Sequence, residues 1–224
     1  MASAMTRSPL DPGVLRLAVP RGSLFKDSID ILEKVGFEVG ELRVNDRKLT
    51  FQVGEGRTII TTRPSDVPTY VEYGASDVGM VGKDVLLEHR RNVYELLDLG
   101  FGRCRVIYAT PADRDPETEE LKHLGIMRVA TKFPNITRAY FESLGKQVEI
   151  IELRGSIELA PQVDLAEGIV DLTASGETLR ANNLVERAEI ADCTARLIAN
   201  RVSHKLKAGM INELARRLQE VTDR

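Results

Sequence analysis

Gly168-Ile169-Val170-Asp171-Leu172-Thr173-Ala174-Ser175-Gly176-Glu177-Thr178-Leu179 reads as an apolar strand closing on an aspartate, then a run of small hydroxyl and glycine residues, then the opening of a helix. Strand, small-residue turn and helix in succession form the building unit of an open α/β sheet. The unit recurs upstream. Met127–Thr131 is strand-like and leads into helical spacing over Pro134–Leu144, and Val148–Leu153 leads into a helix expected over Ser156–Glu167. Nearer the start, Leu15–Val19 precedes a helix over Leu24–Val35, Thr58–Thr62 precedes one over Asp66–Tyr73, and Ala75–Val81 precedes one over Asp84–Arg90. Cys104–Thr110 is a further strand, and the Ser175–Ala181 and Ala208–Val221 helices follow, the last with Met210, Ile211, Leu214 and Leu218 at helical spacing. The alternation predicts open parallel or mixed sheets flanked by helices.

Pro111–His123 is charged and holds two prolines, which makes it the expected crossing between two lobes. The expected division is a flexible tail over 1–13, lobe I over 14–105 plus 191–224, and lobe II over 106–190, with a cleft between the lobes. The tail has one arginine, two prolines and no apolar core, unlike an export signal. Hydrophobic residues at 42% and charged residues at 29% suit a soluble globular chain and exclude wholesale disorder. With 31 basic and 34 acidic residues the formal net charge is −3, so no nucleic-acid or membrane partner is indicated, and any bound anion must be held by a local cluster. Charges break every apolar stretch short of the ~20 residues that span a bilayer. Cys104 and Cys193 lack metal-type spacing and are expected to be reduced thiols in a cytoplasmic protein. His89, His123 and His204 sit in polar surroundings, also without metal spacing.

The residue types of Gly168–Leu179 admit two readings. One is a capped helix start, with Ser175 or Thr178 as N-cap and Gly176 relieving the turn. The other is an anion cradle. Small residues (Ala174, Gly176) let backbone N–H groups approach a phosphate, Thr173, Ser175 and Thr178 add hydroxyl donors, and Asp171 at the strand end can accept from sugar hydroxyls. The cradle requires the Glu177 carboxylate to face away. Elsewhere, Ala18-Val19-Pro20-Arg21-Gly22-Ser23-Leu24 places Arg21 on a strand–turn–helix start, as a phosphate partner or an exposed turn arginine. Arg63-Pro64-Ser65-Asp66 places Arg63 directly after a strand, as a charge for pyrophosphate or as a partner of Asp66. Gly74–Gly82 read alone is a buried strand with close backbone packing.

From Glu158 through Leu179 the chain resembles the signature of the ATP phosphoribosyltransferase family. Glu158, Ala166, Ile169, Asp171, Leu172, Ser175, Gly176, Thr178 and Leu179 all fit it, and Asp164 stands where the family usually has glycine. The segments around Arg21, Arg63, Gly74–Gly82, Arg128–Arg138 and Leu153–Glu158 are similar to the same family, which usually has a second arginine in place of Ser23. The resemblance implies a periplasmic-binding-protein-like (type II) fold and transfer of the 5-phosphoribosyl group of phosphoribosyl pyrophosphate to N1 of ATP. By the same resemblance, Arg154, Gly155, Ser156 and Glu158 join Asp171 and the 173–178 loop around phosphoribosyl pyrophosphate. Arg21, Gly22, Arg63, Asp77, Val78 and Gly79 then face ATP, with Arg21 and Arg63 relieving charge in catalysis. Lys132 and Arg154 are expected to converge on the cleft. Mg²⁺ is expected on substrate oxygens with no protein cage. The resemblance also implies the short form: a homodimer within a hetero-oligomer with a regulatory subunit related to histidyl-tRNA synthetase. Two other readings fit two α/β lobes: a solute binder or regulator effector domain, and a phosphosugar enzyme of unrelated fold. The first lacks an export signal or basic DNA-binding face, and the second leaves the other segments unexplained.

Overall fold

The computed structural model describes residues 13–45, 47–114 and 126–223. The elements begin with β1 (Leu15–Pro20), α1 (Phe25–Lys34), α2 (Gly40–Val44), β2 (Thr50–Gln52) and β3 (Arg57–Thr62). Next come α3 (Val67–Glu72), β4 (Val78–Gly82), α4 (Lys83–His89), β5 (Tyr94–Asp98) and β6 (Cys104–Pro111). After the undescribed segment lie β7 (Met127–Thr131), α5 (Pro134–Ser143), β8 (Val148–Glu152), β9 (Gly168–Thr173), α6 (Glu177–Ala181) and β10 (Leu184–Cys193). The chain finishes with β11 (Ala195–Ala199), α7 (Arg201–Leu206) and α8 (Ala208–Thr222).

Two compact units result. Among the described residues, one unit lies within 1–86, 90–102 and 194–224 and the other within 87–89 and 103–193. The chain passes between them at Leu86/Leu87, His89/Arg90, Gly102/Arg103 and Cys193/Thr194. Of the segment Pro111–His123 where a crossing is expected, Pro111 ends β6 inside the second unit, and residues 115–125, with His123, lie outside the described residues.

The first unit is built on a six-stranded mixed sheet ordered β2-β3-β1-β4-β11-β5. Alternate side chains of β1 enter different clusters, as a period of two requires. Leu15, Leu17 and Val19 pack with α1 (Ile29, Leu32) and α8 (Ile211, Leu214, Leu218), whereas Ala18 packs with Val67 and Val71 of α3. Gly79 is what lets α3 come so close, since a Cβ there would lie 2.8 Å from both valines. On the exposed side of α8, Arg216 and Arg217 hydrogen-bond Glu213 and hold its carboxyl at about 2, below the ordinary 4.5. A carboxylate depressed in the folded state stabilises fully above its unfolded value and loses that contribution as pH falls through the folded one. The stability difference between the parent chain and Glu213→Gln is therefore expected to be full above pH 4.5 and to vanish toward about pH 2, as followed by urea midpoints across pH.

The second unit carries a five-stranded sheet ordered β10-β6-β9-β7-β8. Both faces are covered. Val106 and Tyr108 of β6 join Phe133, Ile136 and Phe141 around α5, while Ile107 and Ala109 join Ile157, Ala160 and Leu179 on the other face. Cys104 and Cys193 are directly opposed where β6 pairs with β10.

The helix expected over Ser156–Glu167 is a 3₁₀ turn, Ile157–Val163. Pro161 within it removes a donor, and Ser156 (φ 50°) and Asp164 (φ 55°) bracket it in the left-handed region. That explains the glycine usual at position 164. Aspartate is among the residues that tolerate this conformation, and here it accepts from Arg114 at 2.7 Å. Asp164→Val is expected to lose about 1–2 kcal/mol relative to Asp164→Gly in urea unfolding, because a β-branched side chain cannot relax there.

Candidate active site

In the second unit β7 runs parallel to both β8 and β9, with Thr131 opposite Glu152 on one side and Val170 on the other. The C-terminal ends of three adjacent strands therefore open at one edge, the place where open α/β sheets bind ligands. Three loops leave it: Lys132–Phe133, Leu153–Ser156 and Ala174–Gly176. Arg154, Gly155 and Ser156 are exposed on the second, and Glu158 is half-buried just beyond.

The loop after β9 is held by its own side chains. Thr173 Oγ1 accepts from the Gly176 N–H at 3.0 Å, Ser175 Oγ from the Glu177 N–H at 3.4 Å, and Gly176 takes φ +73°. Arg180 donates to the Ser175 carbonyl. Among the described residues the N–H groups of Ala174, Ser175 and Thr178 take part in none of these bonds, and all three residues are exposed. Glu177 is exposed as well. The N-cap is Gly176 and carries no side-chain cap, so neither Ser175 nor Thr178 caps this helix; the small side chains instead brace the loop ahead of it. The helix that follows, α6, has five residues, so its macrodipole is that of little more than one turn.

Asp171 is 8% exposed on β9. Its Oδ1 accepts from the Leu172 N–H at 2.7 Å and pairs with Lys132 Nζ at 3.0 Å. Lys132 also lies over the Phe133 ring. Lys132 and Asp171 are the charged pair of this edge. The start of α5 offers no comparable opening, because its Asn135 and Ile136 N–H groups already donate to the buried Glu88 carboxylate. Glu88 carried no signal in the sequence, since its partners lie 47 and 48 positions away.

At the opposite edge of the sheet Glu167, 3% exposed, accepts from both the backbone and the guanidinium of Arg128. That hydrogen bonding raises Arg128 above its ordinary value and pins β7 to the turn before β9.

In the first unit β1 and β3 are parallel neighbours, so Arg21 and Arg63 follow adjacent strand ends. Arg21 donates its backbone N–H to Thr62, its Nε to Thr61 Oγ1 and its Nη2 to the Lys48 carbonyl. Arg63 is exposed ahead of Pro64 and touches Asp66 through the backbone, Asp66 N–H to Arg63 carbonyl. Gly22 is exposed at φ +93°, a backbone shape that suits glycine.

Asp77, Val78 and Gly79 do not join them. Val78 and Gly79 pair with Leu17 and Ala18, toward the other end of β4, whose C-terminal Gly82 lies on the arginine side. Val78 is fully buried, Gly79 serves helix packing, and Asp77 is 1% exposed. Both Asp77 oxygens accept from Lys207 Nζ at 2.9 Å, and Oδ2 also accepts from the Arg16 N–H. Lys207 in turn donates to the Val14 carbonyl. Asp77 thereby ties the start of β1 to the α7–α8 corner. A buried carboxylate persists only when hydrogen-bonded and paired, and Asp77 is both.

A sequence model of HisG, ATP phosphoribosyltransferase, matches residues 63–220. An ATP phosphoribosyltransferase of Rubrobacter xylanophilus is 53% identical over 201 residues, covering 89% of this chain and 93% of the relative. One from Desulfitobacterium hafniense is 48% identical, covering 92% and 96%. Among solved structures, the ATP phosphoribosyl transferase (HisG:HisZ) complex from Thermotoga maritima superposes with a TM-score of 0.80 at 36% identity, over 94% of this chain and 99% of that one. The periplasmic aliphatic sulphonate binding protein SsuA of Escherichia coli shares the fold alone, with a TM-score of 0.57 at 12% identity over 93% of this chain and 72% of that one. With a strand edge built around Lys132 and Asp171 and relatives matching along nearly its whole length, the chain belongs to the ATP phosphoribosyltransferase family.

Proposed function

We propose that the loop edge of the second unit holds phosphoribosyl pyrophosphate and that Arg21, Gly22 and Arg63 of the first unit receive ATP. The activity is that of a pentosyltransferase of histidine biosynthesis. N1 of the purine attacks C1 of the phosphoribosyl group, the N–C bond forms as the C–O bond to pyrophosphate breaks, and pyrophosphate leaves. The observation that carries the substrate assignment is the convergence of Asp171, Lys132 and the amides of Ala174, Ser175 and Thr178 at one strand edge. Asp171 would accept from ribose hydroxyls, and the loop amides and hydroxyls would hold the 5-phosphate. The reaction asks the protein mainly to align two anions and to offset charge on the leaving group, tasks that orientation and fixed dipoles perform without a general base. Among the described residues no group of three or more His, Cys, Asp or Glu is placed to hold a metal ion. In this reading magnesium enters with the substrate, where it would offset charge on pyrophosphate.

The likeness to the HisG:HisZ complex supports a hetero-oligomer with a HisZ partner; in this reading that partner is the regulatory subunit related to histidyl-tRNA synthetase, and the chain itself pairs as a homodimer. A cytoplasmic location completes the reading; no helix among the described residues is long and apolar enough to cross a membrane.

The test is a product assay with ATP, phosphoribosyl pyrophosphate, Mg²⁺ and pyrophosphatase, with and without the regulatory subunit. Phosphoribosyl-ATP is expected by mass. Arg63→Ala is expected to lower turnover, and Thr178→Ala to raise KM for phosphoribosyl pyrophosphate by about tenfold, the worth of one charge-assisted hydrogen bond. Absence of product in both formats, with neither substrate binding, would sink the reading.

A further inference from the structure

We infer that Glu88 is a positioning residue of the phosphoribosyl pyrophosphate site, holding the turn that presents Lys132 to Asp171. The inference rests on the substrate assignment above. Glu88 lies in the last turn of α4 and is 5% exposed, an expensive place for a carboxylate unless hydrogen bonds compensate it. They do. Oε1 accepts from the Asn135 N–H at 3.0 Å and Oε2 from the Ile136 N–H at 3.0 Å, while the Glu88 carbonyl accepts from Asn135 Nδ2 at 3.1 Å. These are the orphan donors of the first turn of α5, where Pro134 has no N–H to offer.

Helix starts are usually capped by a Ser, Thr, Asp or Asn adjacent in sequence. Here the N-cap residue is Phe133, with no capping side chain, and the acceptor is brought in from another helix. That arrangement fixes where α5 begins, and only Lys132 and Phe133 separate it from β7. On the strand side Thr131 Oγ1 donates to the Val170 carbonyl at 2.7 Å and accepts the Phe133 N–H at 2.9 Å. On the helix side Thr137 Oγ1 donates to the Phe133 carbonyl at 2.8 Å. The backbone of Lys132 is therefore clamped between β9, through Thr131, and α4, through Glu88. Lysine has a flexible four-carbon stem, so the location of its ammonium depends on where its backbone is held. Releasing the helix side leaves the Lys132–Asp171 contact to a mobile turn, and the ribose and pyrophosphate groups then meet a less ordered pair.

The experiment is steady-state kinetics on the full-length chain, supplemented with its regulatory subunit if activity requires it, for Glu88→Gln, Lys132→Met, the double variant and Asp171→Asn. Glu88→Gln is expected to raise KM for phosphoribosyl pyrophosphate by roughly tenfold with KM for ATP unchanged, since misplacement of a binding group weakens only the substrate it touches. In the Lys132→Met background the same change is expected to add nothing, because the two act in series. Glu88→Asp, which keeps the charge, is expected to recover part of the loss and carries the same cycle if the glutamine variant does not fold. A lowered melting temperature with KM unchanged, or full additivity with Lys132→Met, overturns the inference and leaves Glu88 a helix cap. If Asp171→Asn also leaves KM for phosphoribosyl pyrophosphate unchanged, the substrate assignment fails and this inference with it. If Asp171→Asn raises it and Glu88→Gln does not, only the role of Glu88 is lost.

Discussion

Asp171→Asn is expected to lower kcat/KM for phosphoribosyl pyrophosphate by about two orders of magnitude, roughly 3 kcal/mol of transition-state stabilisation. The aspartate is held on the rigid β9 strand, between β6 and β7, and its orientation is set before any ligand arrives by the Leu172 N–H and Lys132. Both contacts fall on Oδ1. A carboxylate accepts from two sugar hydroxyls at once, whereas the amide of asparagine offers one acceptor and presents donors where acceptors are needed. Hydrogen bonds to a charged group contribute about 1.5–3 kcal/mol each, so losing the charge is expected to outweigh any single change in the 173–178 loop. Steady-state kinetics with phosphoribosyl pyrophosphate varied at saturating ATP checks this. The loss should appear with that substrate and leave KM for ATP nearly unchanged. An unchanged kcat/KM would place the sugar elsewhere.

Lys207→Met is expected to destabilise the chain by about 3–5 kcal/mol, a large share of the 5–15 kcal/mol typical of a folded protein. Lys207 and Asp77 have side chains only 1% exposed. Removing the ammonium strands a buried carboxylate and also unmakes the bond to the Val14 carbonyl at the entry to β1. Removing both charges is less harmful than removing one, because no unpaired ion remains. Lys207→Met/Asp77→Ala is therefore expected to recover part of the loss, and what stays lost belongs to the Val14 carbonyl and the Arg16 N–H left without these partners. Urea unfolding with a constant m-value measures both. The pair also separates the two jobs considered for Asp77. A nucleotide contact would move KM for ATP, and a buried brace moves the unfolding midpoint while folded variants keep that KM.

Asp77 sits just before β4 in a stretch flanked by glycines and inside a recognised segment, which is where a ligand-binding carboxylate is sought. Its true partner is 130 positions away at a helix corner, and no local pattern announces such a pair. The same holds for the edge strand β10. Glu186, Glu189 and Asp192 interrupt its apolar alternation because Arg105 and Arg103 of the neighbouring segment compensate them from across the sheet, while Arg187 donates to Thr110 Oγ1. The 3₁₀ turn over Ile157–Val163 is a different case. Helical spacing was present, and Pro161 and the left-handed residues at both ends shortened it.

Residue order by itself determined the α/β alternation, the strand ends at Thr62 and Thr131, and the loop of small residues beyond Asp171. Those features rest on periods of two and 3.6 residues and on turn chemistry, all of which act within a few positions. The motifs that identify the family lie in the same short stretches. Tertiary structure alone decided which strand ends share an edge, that Lys132 meets Asp171, that Glu88 closes the start of α5, and that Asp77 is sealed in by Lys207. Each of these joins residues distant in sequence, and each depends on burial, which turns a weak surface ion pair or an unremarkable glutamate into an interaction whose removal the fold or the site must register.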